Sequence, residues 1–271
     1  MTKVVACIVA RTVSTRLPLK VLRDLVPGMT MLDFIIKNIQ LNASVDQIYL
    51  CTSTAPQDDI LVDIAERNNI KIYRGSAEDV TERLLSVAHQ EQADILVRIT
   101  GDNPFSSVEY ITSQVGFLQE RNLDYVRMDK LPIGAGCEVF TTRALEKCVS
   151  DMDRSVSEYL MLFMFQPQKF RCGVMHIVGQ DFGNYSLTVD MPADLERTKS
   201  ILSHLNFTND FKGIKLKHIL KVISENTDLP AIKYEPSGDV KLPYGKVIPF
   251  TAFKADMNER INLSFHKGID E

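Results

Sequence analysis

The sequence lacks the cysteine patterns that cross-link small secreted domains or bind zinc. Its five cysteines are odd in number and scattered, and none forms a CxxC pair or stands at ligand spacing from a histidine. They are Cys7, Cys51, Cys137, Cys148 and Cys172. We therefore expect neither a disulfide framework nor a structural zinc site.

Long apolar runs and a strong excess of charge are also missing. No stretch is long enough to span a bilayer, and we expect no secretory signal before the first strand. The formal net charge is −4, which argues against a surface that coats nucleic acid. With 271 residues, 45% of them hydrophobic, the chain is typical of a globular protein of one large or two small domains. We expect a cytoplasmic protein without membrane or nucleic-acid partners.

Both common glycine-rich nucleotide-binding loops are absent. There is no GxGxxG after the first predicted strand and no GxxxxGK[ST] anywhere. The five histidines are dispersed, with no serine or cysteine nucleophile pattern beside them, so we interpret them as packing or surface residues. A dinucleotide fold, a P-loop and a hydrolase triad are therefore not predicted.

Strand-like and helix-like segments alternate through the first half of the chain. Strands are predicted at 4–10, 47–52, 70–73 and 94–100, and helices at 31–40, 58–68, 80–89 and 108–119, the last capped by Ser106 or Ser107. Repeated βα units of this size predict an α/β fold whose mainly parallel sheet is covered on both faces.

The pattern becomes less regular after residue 124. Shorter strands are predicted at 125–128, 137–141, 170–178 and 185–189, and helices at 142–149, 157–165, 192–205 and 214–226. Prolines and glycines then accumulate after Leu229, which predicts a wrapping tail with little regular structure.

The segment after the first strand carries the most polar chemistry. Its side chains of interest are Arg11, Ser14, Thr15, Arg16 and Lys20. Pro18 prevents a helix from continuing through this loop. Ligands of open α/β sheets bind beyond the carboxyl ends of strands, and cations with hydroxyls there suit a polyphosphate. The alternative is a solvated surface loop.

Two carboxylates stand at the ends of predicted strands. Asp102 follows strand 94–100 beside Gly101, which permits an unusual backbone conformation, and Asp190 follows strand 185–189 just before Pro192. For each, the alternative is a cap of the next helix or a local turn. With the basic loop they suit Mg²⁺, which takes one or two carboxylates plus substrate phosphates.

Two further polar segments leave alternatives open. In residues 74–80, Ser76 or Asp79 either caps the next helix or contacts a ligand. Asp151 and Asp153 match the DxD pattern of metal-dependent glycosyltransferases, but no strand precedes them, so capping is the preferred interpretation.

Taken together, these motifs resemble those of the cytidylyltransferases that include the CMP-Kdo and CMP-sialate synthetases, most of all their spore coat polysaccharide branch. That family carries ARxxSTRLPGKVL, and this chain has ARTVSTRLPLKVL at 10–22. Segments 52–59, 73–80, 97–104 and 187–196 also match in order. The resemblance covers about residues 3–205.

The resemblance implies a three-layer, Rossmann-like nucleotide-diphospho-sugar transferase fold with a mainly parallel mixed sheet. It further implies a cytidylyltransferase domain at 1–228, whose arm at about 125–170 forms a homodimer, followed by a C-terminal extension at 229–271. The implied enzyme joins CMP from CTP to a sugar, sugar acid or phosphorylated acceptor, releases pyrophosphate, and serves surface polysaccharide or glycoconjugate synthesis.

The resemblance also implies roles for individual residues. The catalytic residues would be Arg11, Arg16, Lys20 and Asp102. These residues, together with Ala10, Ser14 and Thr15 and with Arg74, Ser76 and Asp79 near the cytosine, would bind the nucleotide. The acceptor would lie against Asn103, Glu138 and Ser155. Asp102 and Asp190 would hold Mg²⁺.

Three departures from the family pattern leave other functions open. Leu19 replaces a loop glycine, Gly136 stands where an aspartate is usual, and residues 154–157 replace GluHisValThr. The acceptor half is thus altered, which favours an unusual acceptor or a non-catalytic nucleotide-binding paralogue. A third possibility is a metal-dependent glycosyltransferase of similar fold that uses Asp151 and Asp153.

Overall fold

The structure, a computed structural model, describes residues 2–208, 213–234 and 238–270. The strands are β1 (Val4–Val9), β2 (Asp24–Val26), β3 (Met29–Thr30), β4 (Gln47–Ser53), β5 (Lys71–Gly75), β6 (Ile95–Thr100), β7 (Tyr125–Met128), β8 (Glu138–Thr141), β9 (Cys172–Ile177), β10 (Asp239–Lys241), β11 (Val247–Pro249) and β12 (Phe265–Ile269). The helices are α1 (Met31–Gln40), α2 (Ile60–Arg67), α3 (Val80–Glu91), α4 (Ile111–Glu120), α5 (Thr142–Asp151), α6 (Leu160–Met164), α7 (Pro192–His204), α8 (Leu216–Glu225) and α9 (Phe250–Asn262).

One sheet of eight strands, in the order β12-β9-β7-β8-β6-β1-β4-β5, forms the centre of the fold. β8 runs antiparallel to both β6 and β7, and the other neighbours pair in parallel. The predicted mainly parallel mixed sheet is therefore confirmed. The carboxyl ends of β1, β4, β6, β7 and β9 and the amino end of β8 meet at one edge of the sheet.

Both faces of the sheet are covered, as β1 shows most clearly. Ala6 and Ile8 pack into one apolar cluster with α1, α2 and α4, whereas Val5 and Cys7 pack into a second cluster with α3 and α5. Successive strand side chains point to opposite faces, so an unbroken apolar strand requires two covered faces. The helices supply these two outer layers.

Two local predictions differ from the structure. Segment 185–189 does not join the sheet, because Leu187 N donates to Ile133 O and Val189 N donates to Asp102 O in neighbouring loops. Its alternating pattern arises because Leu187 and Val189 point into the core. The predicted hydroxyl caps are also wrong: a 3-10 turn precedes α4, and neither Ser106 nor Ser107 caps it.

The prediction of little regular structure after Leu229 is wrong as well. β10 and β11 form a hairpin, α9 follows, and β12 adds to the edge of the main sheet in parallel with β9. Arg260 of α9 donates to the carbonyl oxygens of Leu162 and Phe165 at the end of α6, which ties the extension to the body. Prolines and glycines are concentrated before Phe250, so α9 can form beyond them. The division into two domains stays a prediction.

No helix among the described residues combines the length and the apolar character needed to span a membrane. All five cysteines are buried free thiols.

Candidate active site

A cleft of about 580 Å³ opens at the sheet edge where β1 and β6 end. We call it the central cleft. Its polar lining residues are Arg11, Ser14, Thr15, Arg16, Lys20, Arg83, Arg98, Thr100, Asp102, Glu158 and Asp190, with Ala10 and Gly101 at its base. Parallel strands bring their carboxyl ends to one edge, so the loop after β1 and the turn after β6 face each other here.

Gly101 allows this close approach. Its backbone nitrogen donates to Val9 O at 2.9 Å, and a Cβ at this position would lie 2.7 Å from the Cβ of Ala10. A larger residue would therefore push the ends of β1 and β6 apart. The glycine is required for close packing here, and its φ is not in the left-handed region, contrary to the unusual conformation expected from the sequence.

Lys20 joins the basic loop to both carboxylates. Its Nζ lies 2.8 Å from Asp102 Oδ2 and 2.8 Å from Asp190 Oδ1. Arg16 Nη2 lies 3.0 Å from the same oxygen of Asp190. Residues 82 and 170 positions apart from Lys20 thus converge on one ammonium group. Asp190 is not a helix cap, because the carboxylate of Asp194 accepts from the backbone nitrogens at the start of α7.

The electrostatics of this cluster keep its groups charged. Burial alone would lower the pKa of Lys20, but the carboxylates of Asp102 and Asp190 outweigh it, and the pKa is raised. Burial alone would raise the pKa of Asp102, but the charge and hydrogen bond of Lys20 outweigh it, and the pKa is lowered. Each charge is therefore stabilised by its partner.

The rest of the basic loop is anchored at both ends. Ala10 N donates to Cys51 O at 3.2 Å, and Ser14 Oγ accepts from Leu17 N at 3.4 Å. Arg11 Nη1 donates to Ala77 O at 2.8 Å, which links the loop to the turn after β5. Thr15 lines the central cleft between these points.

Leu19 adopts a left-handed conformation, with φ 55° and ψ 29°, at the position where the family pattern has glycine. A side chain other than glycine is strained there, because its Cβ approaches the following carbonyl oxygen. The loop has therefore kept the backbone shape that glycine favours, despite the substitution.

The residues expected near a base do not line the central cleft. Arg74 donates to Ser53 O and pairs with Asp59, while Ser76 Oγ accepts from backbone nitrogens of its own turn. Asp79 is the N-cap of α3, since its Oδ1 accepts from Glu82 N at 2.9 Å. The capping alternative for Asp79 is thus confirmed, and contact of these three residues with a base stays a prediction.

The three residues expected to contact the acceptor differ in how they relate to the central cleft. Asn103 follows Asp102 directly, and its buried Oδ1 has no hydrogen-bond partner among the described residues. Glu138 pairs with Arg98, a lining residue of the cleft, and accepts from the Tyr125 hydroxyl at 2.6 Å. Ser155 lies outside the lining, and the nearby lining residue is Glu158.

The DxD alternative has no support in this geometry. Asp153 Oδ1 accepts from Ser155 N at 2.9 Å and so caps a 3-10 turn, and Asp151 is the last residue of α5. Neither side chain lines the central cleft.

Two arginines in the cleft wall were missed from the sequence. Arg83 is 1% exposed, its Nη1 reaches only Cys51 O at 3.3 Å, and its Nε has no partner among the described residues. Burial lowers the pKa of Arg83, and the charge of Arg11 adds to this, while Cys51, Glu82 and Asp58 act in the opposite direction without overcoming it. Arg98 is the single charged residue in β6, which is buried on both faces. Both could have been predicted from the sequence, because a cation on the apolar face of a helix (Arg83) or in a buried strand (Arg98) is costly without a function.

The cleft offers two carboxylates, not a complete set of protein ligands, to a divalent metal. Within the described ranges, no group of three or more His, Cys, Asp or Glu side chains could hold an ion. Asp102 and Asp190 nevertheless converge on one point, the Nζ of Lys20. Two carboxylates completed by substrate phosphates match the way Mg²⁺ is usually held, so these residues fit the metal.

Known proteins of similar sequence support the resemblance to the cytidylyltransferases. A family model for cytidylyltransferases matches residues 5–226. An uncharacterized protein of Methanocaldococcus jannaschii is 28% identical over 235 residues, covering 85% of this chain and 94% of that protein. The spore coat polysaccharide biosynthesis protein SpsF of Bacillus subtilis is 25% identical over 246 residues, covering 84% and 97%.

A solved structure is similar over most of the chain. The cytidylyltransferase from Leptospira borgpetersenii has 26% sequence identity and a TM-score of 0.77, and the match covers 88% of this chain and 100% of that one. The similarity confirms the predicted Rossmann-like nucleotidyltransferase architecture. Because the family model spans most of the sequence and the whole central cleft, this chain belongs to the cytidylyltransferase family.

Proposed function

We propose that this chain transfers CMP from CTP to a sugar, a sugar acid or a phosphorylated acceptor and releases pyrophosphate. The observation that carries the proposal is the convergence of Arg16 and Lys20 with Asp102 and Asp190 at the end of β6. Such a cluster can neutralise a polyphosphate and hold its α-phosphorus beside an acceptor.

The charge of the central cleft supports a polyanionic ligand. Five cationic side chains and three acidic ones line it. Arg83 in particular is buried without a counterion among the described residues, which costs free energy until an anion arrives. A triphosphate would supply that negative charge.

In the proposed reaction an acceptor oxygen attacks the α-phosphorus in line and pyrophosphate leaves. Such catalysis depends on positioning and on electrostatic stabilisation of the developing charge. A unit charge about 4 Å from an opposite one contributes roughly 4 kcal/mol at an effective dielectric constant of 20. Only the part gained in the transition state raises the rate, and Arg16 and Lys20 are placed to provide it.

Mg²⁺ is part of the proposal. Asp102 and Asp190 would hold it, and the bound ion would neutralise charge on the phosphate oxygens. Lys20 already contacts both carboxylates, so it would remain beside the phosphates as a fixed positive charge.

The acceptor, assembly and location are also proposals. The name of SpsF refers to polysaccharide biosynthesis, which supports an acceptor for surface polysaccharide or glycoconjugate precursors. We propose that the acceptor contacts Asn103, which follows Asp102, and Glu138, which pairs with Arg98 of the central cleft. We further propose a homodimer formed through the arm at about 125–170 and a cytoplasmic reaction, since CTP is a cytoplasmic metabolite.

The decisive experiment is a pyrophosphate-release screen of the four ribonucleoside triphosphates with Mg²⁺ against ulosonic acids, sugars and sugar phosphates. We expect release with CTP and at least one acceptor, and none with CTP alone. If CTP raises the melting temperature but no acceptor gives release, the chain is a non-catalytic nucleotide-binding paralogue.

A further inference from the structure

A second large cavity lies between the body of the protein and the C-terminal extension. It has a volume of about 620 Å³ and we call it the C-terminal cavity. The body contributes the loop that follows β7, from Asp129 to Ile133, and part of segment 181–184. The extension contributes Tyr234 and one face of α9, namely Phe250, Phe253, Lys254, Met257 and Asn258.

The C-terminal cavity opens at the same sheet edge as the central cleft. β6 and β7 are parallel to each other because β8 is antiparallel to both. Two strand spacings of about 4.8 Å separate them, so their carboxyl ends lie roughly 10 Å apart.

Two sets of contacts connect the surroundings of the two cavities. Glu138, at the amino end of β8, pairs with Arg98 of the central cleft and accepts from Tyr125 of β7. Segment 181–190 begins in the C-terminal cavity and ends at Asp190, and Val189 N donates to Asp102 O at 2.9 Å on the way. Segment 181–190 therefore links the lining of the C-terminal cavity to the carboxylate of the central cleft.

The charge of the C-terminal cavity argues against a polyanion. Two lysines and two aspartates line it, in contrast to the excess of cations in the central cleft. Lys130 and Lys254 have no ion-pair partner within the part of the chain that the structure describes. Asn184 and Asn258 add amide groups that both donate and accept.

Aromatic rings form the remaining wall. The rings of Tyr234 and Phe250 lie 6.4 Å apart at an interplanar angle of 79°, and those of Phe250 and Phe253 lie 6.4 Å apart at 37°. Aromatic faces pack against the C–H faces of sugar rings, while balanced donors and acceptors match hydroxyl groups, which do both. A carbohydrate, which has both apolar C–H faces and hydroxyl groups, fits this combination.

We propose that the C-terminal cavity is a carbohydrate-binding subsite that holds the part of the acceptor farthest from the reacting oxygen. This inference rests on the proposed nucleotidyl transfer. Half of the subsite comes from residues after 226, beyond the part of the chain that the family model matches. The extension thereby adds acceptor selectivity to a nucleotide site of the family type.

The sequence contains no tryptophan, so a single introduced tryptophan can report ligand binding by its fluorescence, without any turnover. Phe253→Trp in the full chain places a single fluorophore in the cavity wall, and Tyr234→Trp provides a second position if the first variant folds poorly. The probes are chitobiose and maltose as neutral disaccharides, a 2-ulosonic acid as an acidic sugar, and inorganic pyrophosphate as an anion.

We expect a saturable fluorescence change with at least one of the sugars and none with pyrophosphate. Adding Lys254→Ala and Asn258→Ala should weaken that binding at least tenfold, whereas Glu259→Ala, the next residue on α9 and outside the lining, should not change it. No response to any sugar, a response to pyrophosphate alone, or equal effects of Asn258→Ala and Glu259→Ala would overturn the inference.

A kinetic measurement separates this inference from the proposed function. If pyrophosphate release is established, Lys254→Ala should raise the KM for the acceptor without changing the KM for CTP. Release with an unchanged acceptor KM contradicts the subsite alone. If sugars bind but no acceptor gives pyrophosphate release, nucleotidyl transfer and the acceptor role are both contradicted. The cavity would then be a carbohydrate-binding site without a role in that reaction.

Discussion

Thr12 donates two hydrogen bonds to a single carboxylate oxygen of Asp58. Its backbone nitrogen and its Oγ1 each lie 2.7 Å from Asp58 Oδ1, and the Ser53 hydroxyl donates to the other oxygen. Asp58 is fully buried. Burial raises its pKa, but the hydrogen bonds from Ser53 and Thr12 outweigh this, and the pKa is lowered. The start of the basic loop is therefore fixed before any ligand binds.

Replacing Asp58 tests this preorganisation. Asp58→Ala leaves the backbone nitrogen of Thr12 and the hydroxyl of Ser53 without their buried acceptor, whereas Thr12 Oγ1 keeps Gln57 O at 2.9 Å. We therefore expect a loss of about 3 kcal/mol in the free energy of unfolding, measured in urea. The affinity for CTP should also fall. Asp59→Ala is the matched control, because Asp59 is 64% exposed and, among the residues that the structure describes, forms an ion pair with Arg74 alone. Equal losses in both variants would contradict a special role for Asp58.

The carboxylate of Asp102 is expected to be essential for turnover. Asp102→Asn keeps the volume of the side chain but removes its charge, so we expect pyrophosphate release to fall at least 100-fold, or about 2.7 kcal/mol. The melting temperature should change little. Asp151→Asn should leave the rate unaltered, because Asp151 lies outside the central cleft. The reverse result would support the glycosyltransferase interpretation.

Lys20→Ala should lower turnover at least tenfold, which corresponds to about 1.4 kcal/mol. The variant removes the cation that Asp102 and Asp190 share, so the two carboxylates would face each other with only Arg16 beside them. Steady-state pyrophosphate release is the measurement. Lys199→Ala, on the exposed face of α7, is the control. A rate within twofold of the parent would remove Lys20 from the site.

Two fully buried arginines should respond in opposite ways to the same substitution. Arg83 has no counterion among the described residues, so Arg83→Met should leave the free energy of unfolding within about 1 kcal/mol of the parent or raise it. Arg197 pairs with Asp194 and donates to the carbonyl oxygens of Ala231 and Thr188, so Arg197→Met should cost about 3 kcal/mol.

The effect of CTP on the melting temperature should be reduced in Arg83→Met and kept in Arg197→Met, the reverse of their order in stability. Arg83→Met should reduce the rise in melting temperature that CTP produces, because it removes positive charge from the cleft wall. Arg197→Met lies outside the cleft and should keep that rise. Thermal shifts with and without CTP measure both effects, and an unchanged shift in Arg83→Met would exclude this arginine from binding.

Glu91 predicts a specific acid sensitivity. Hydrogen bonds from Lys3, Lys71 and Tyr49 lower its pKa from an ordinary 4.5 to about 2. A lowered pKa stabilises the folded state above pH 4.5, and this stabilisation is lost as the pH falls toward 2. Its lysine partners are 36% and 50% exposed. We therefore expect a discounted contribution of about 1–2 kcal/mol.

Urea unfolding at pH 6 and pH 3 checks this prediction. Glu91→Gln should be less stable than the parent at the higher pH and should lose about 1–2 kcal/mol less on acidification. Glu120→Gln is the control, because Glu120 is 62% exposed and its one side-chain partner in the described part of the chain is Lys267. Identical pH dependence in all three proteins would show that Glu91 is not the group responsible.

Leu19→Gly should stabilise the protein. The left-handed conformation costs a leucine about 1–2 kcal/mol, and the greater freedom of glycine in the unfolded chain returns part of that, leaving a gain of about 0.5–1 kcal/mol. Leu41→Gly is the matched control: Leu41 is similarly exposed but has φ −80°, so glycine should destabilise there. Chemical denaturation of both variants decides the matter, and a loss at position 19 would mean that the Leu19 side chain makes a stabilising contact.

Local patterns were enough to predict the α/β class and most of its elements. The apolar run of β1, the helical spacing of α1 and the polar loop between them depend only on neighbours in the chain, and parallel βα units always bring strand ends to one edge. The ordered motifs around Lys20, Asp102 and Asp190 were likewise visible, together with the family that carries them.

Contacts between distant residues required the folded chain. Nothing local shows that one lysine bridges carboxylates 82 and 170 positions away, that Arg83 is buried without a counterion among the described residues, or that β12 completes the sheet beside β9. These features depend on which strands become neighbours and on their register. Side-chain periodicity alone determines neither the order of the strands nor their register, because any apolar strand can pair with any other until packing selects one arrangement.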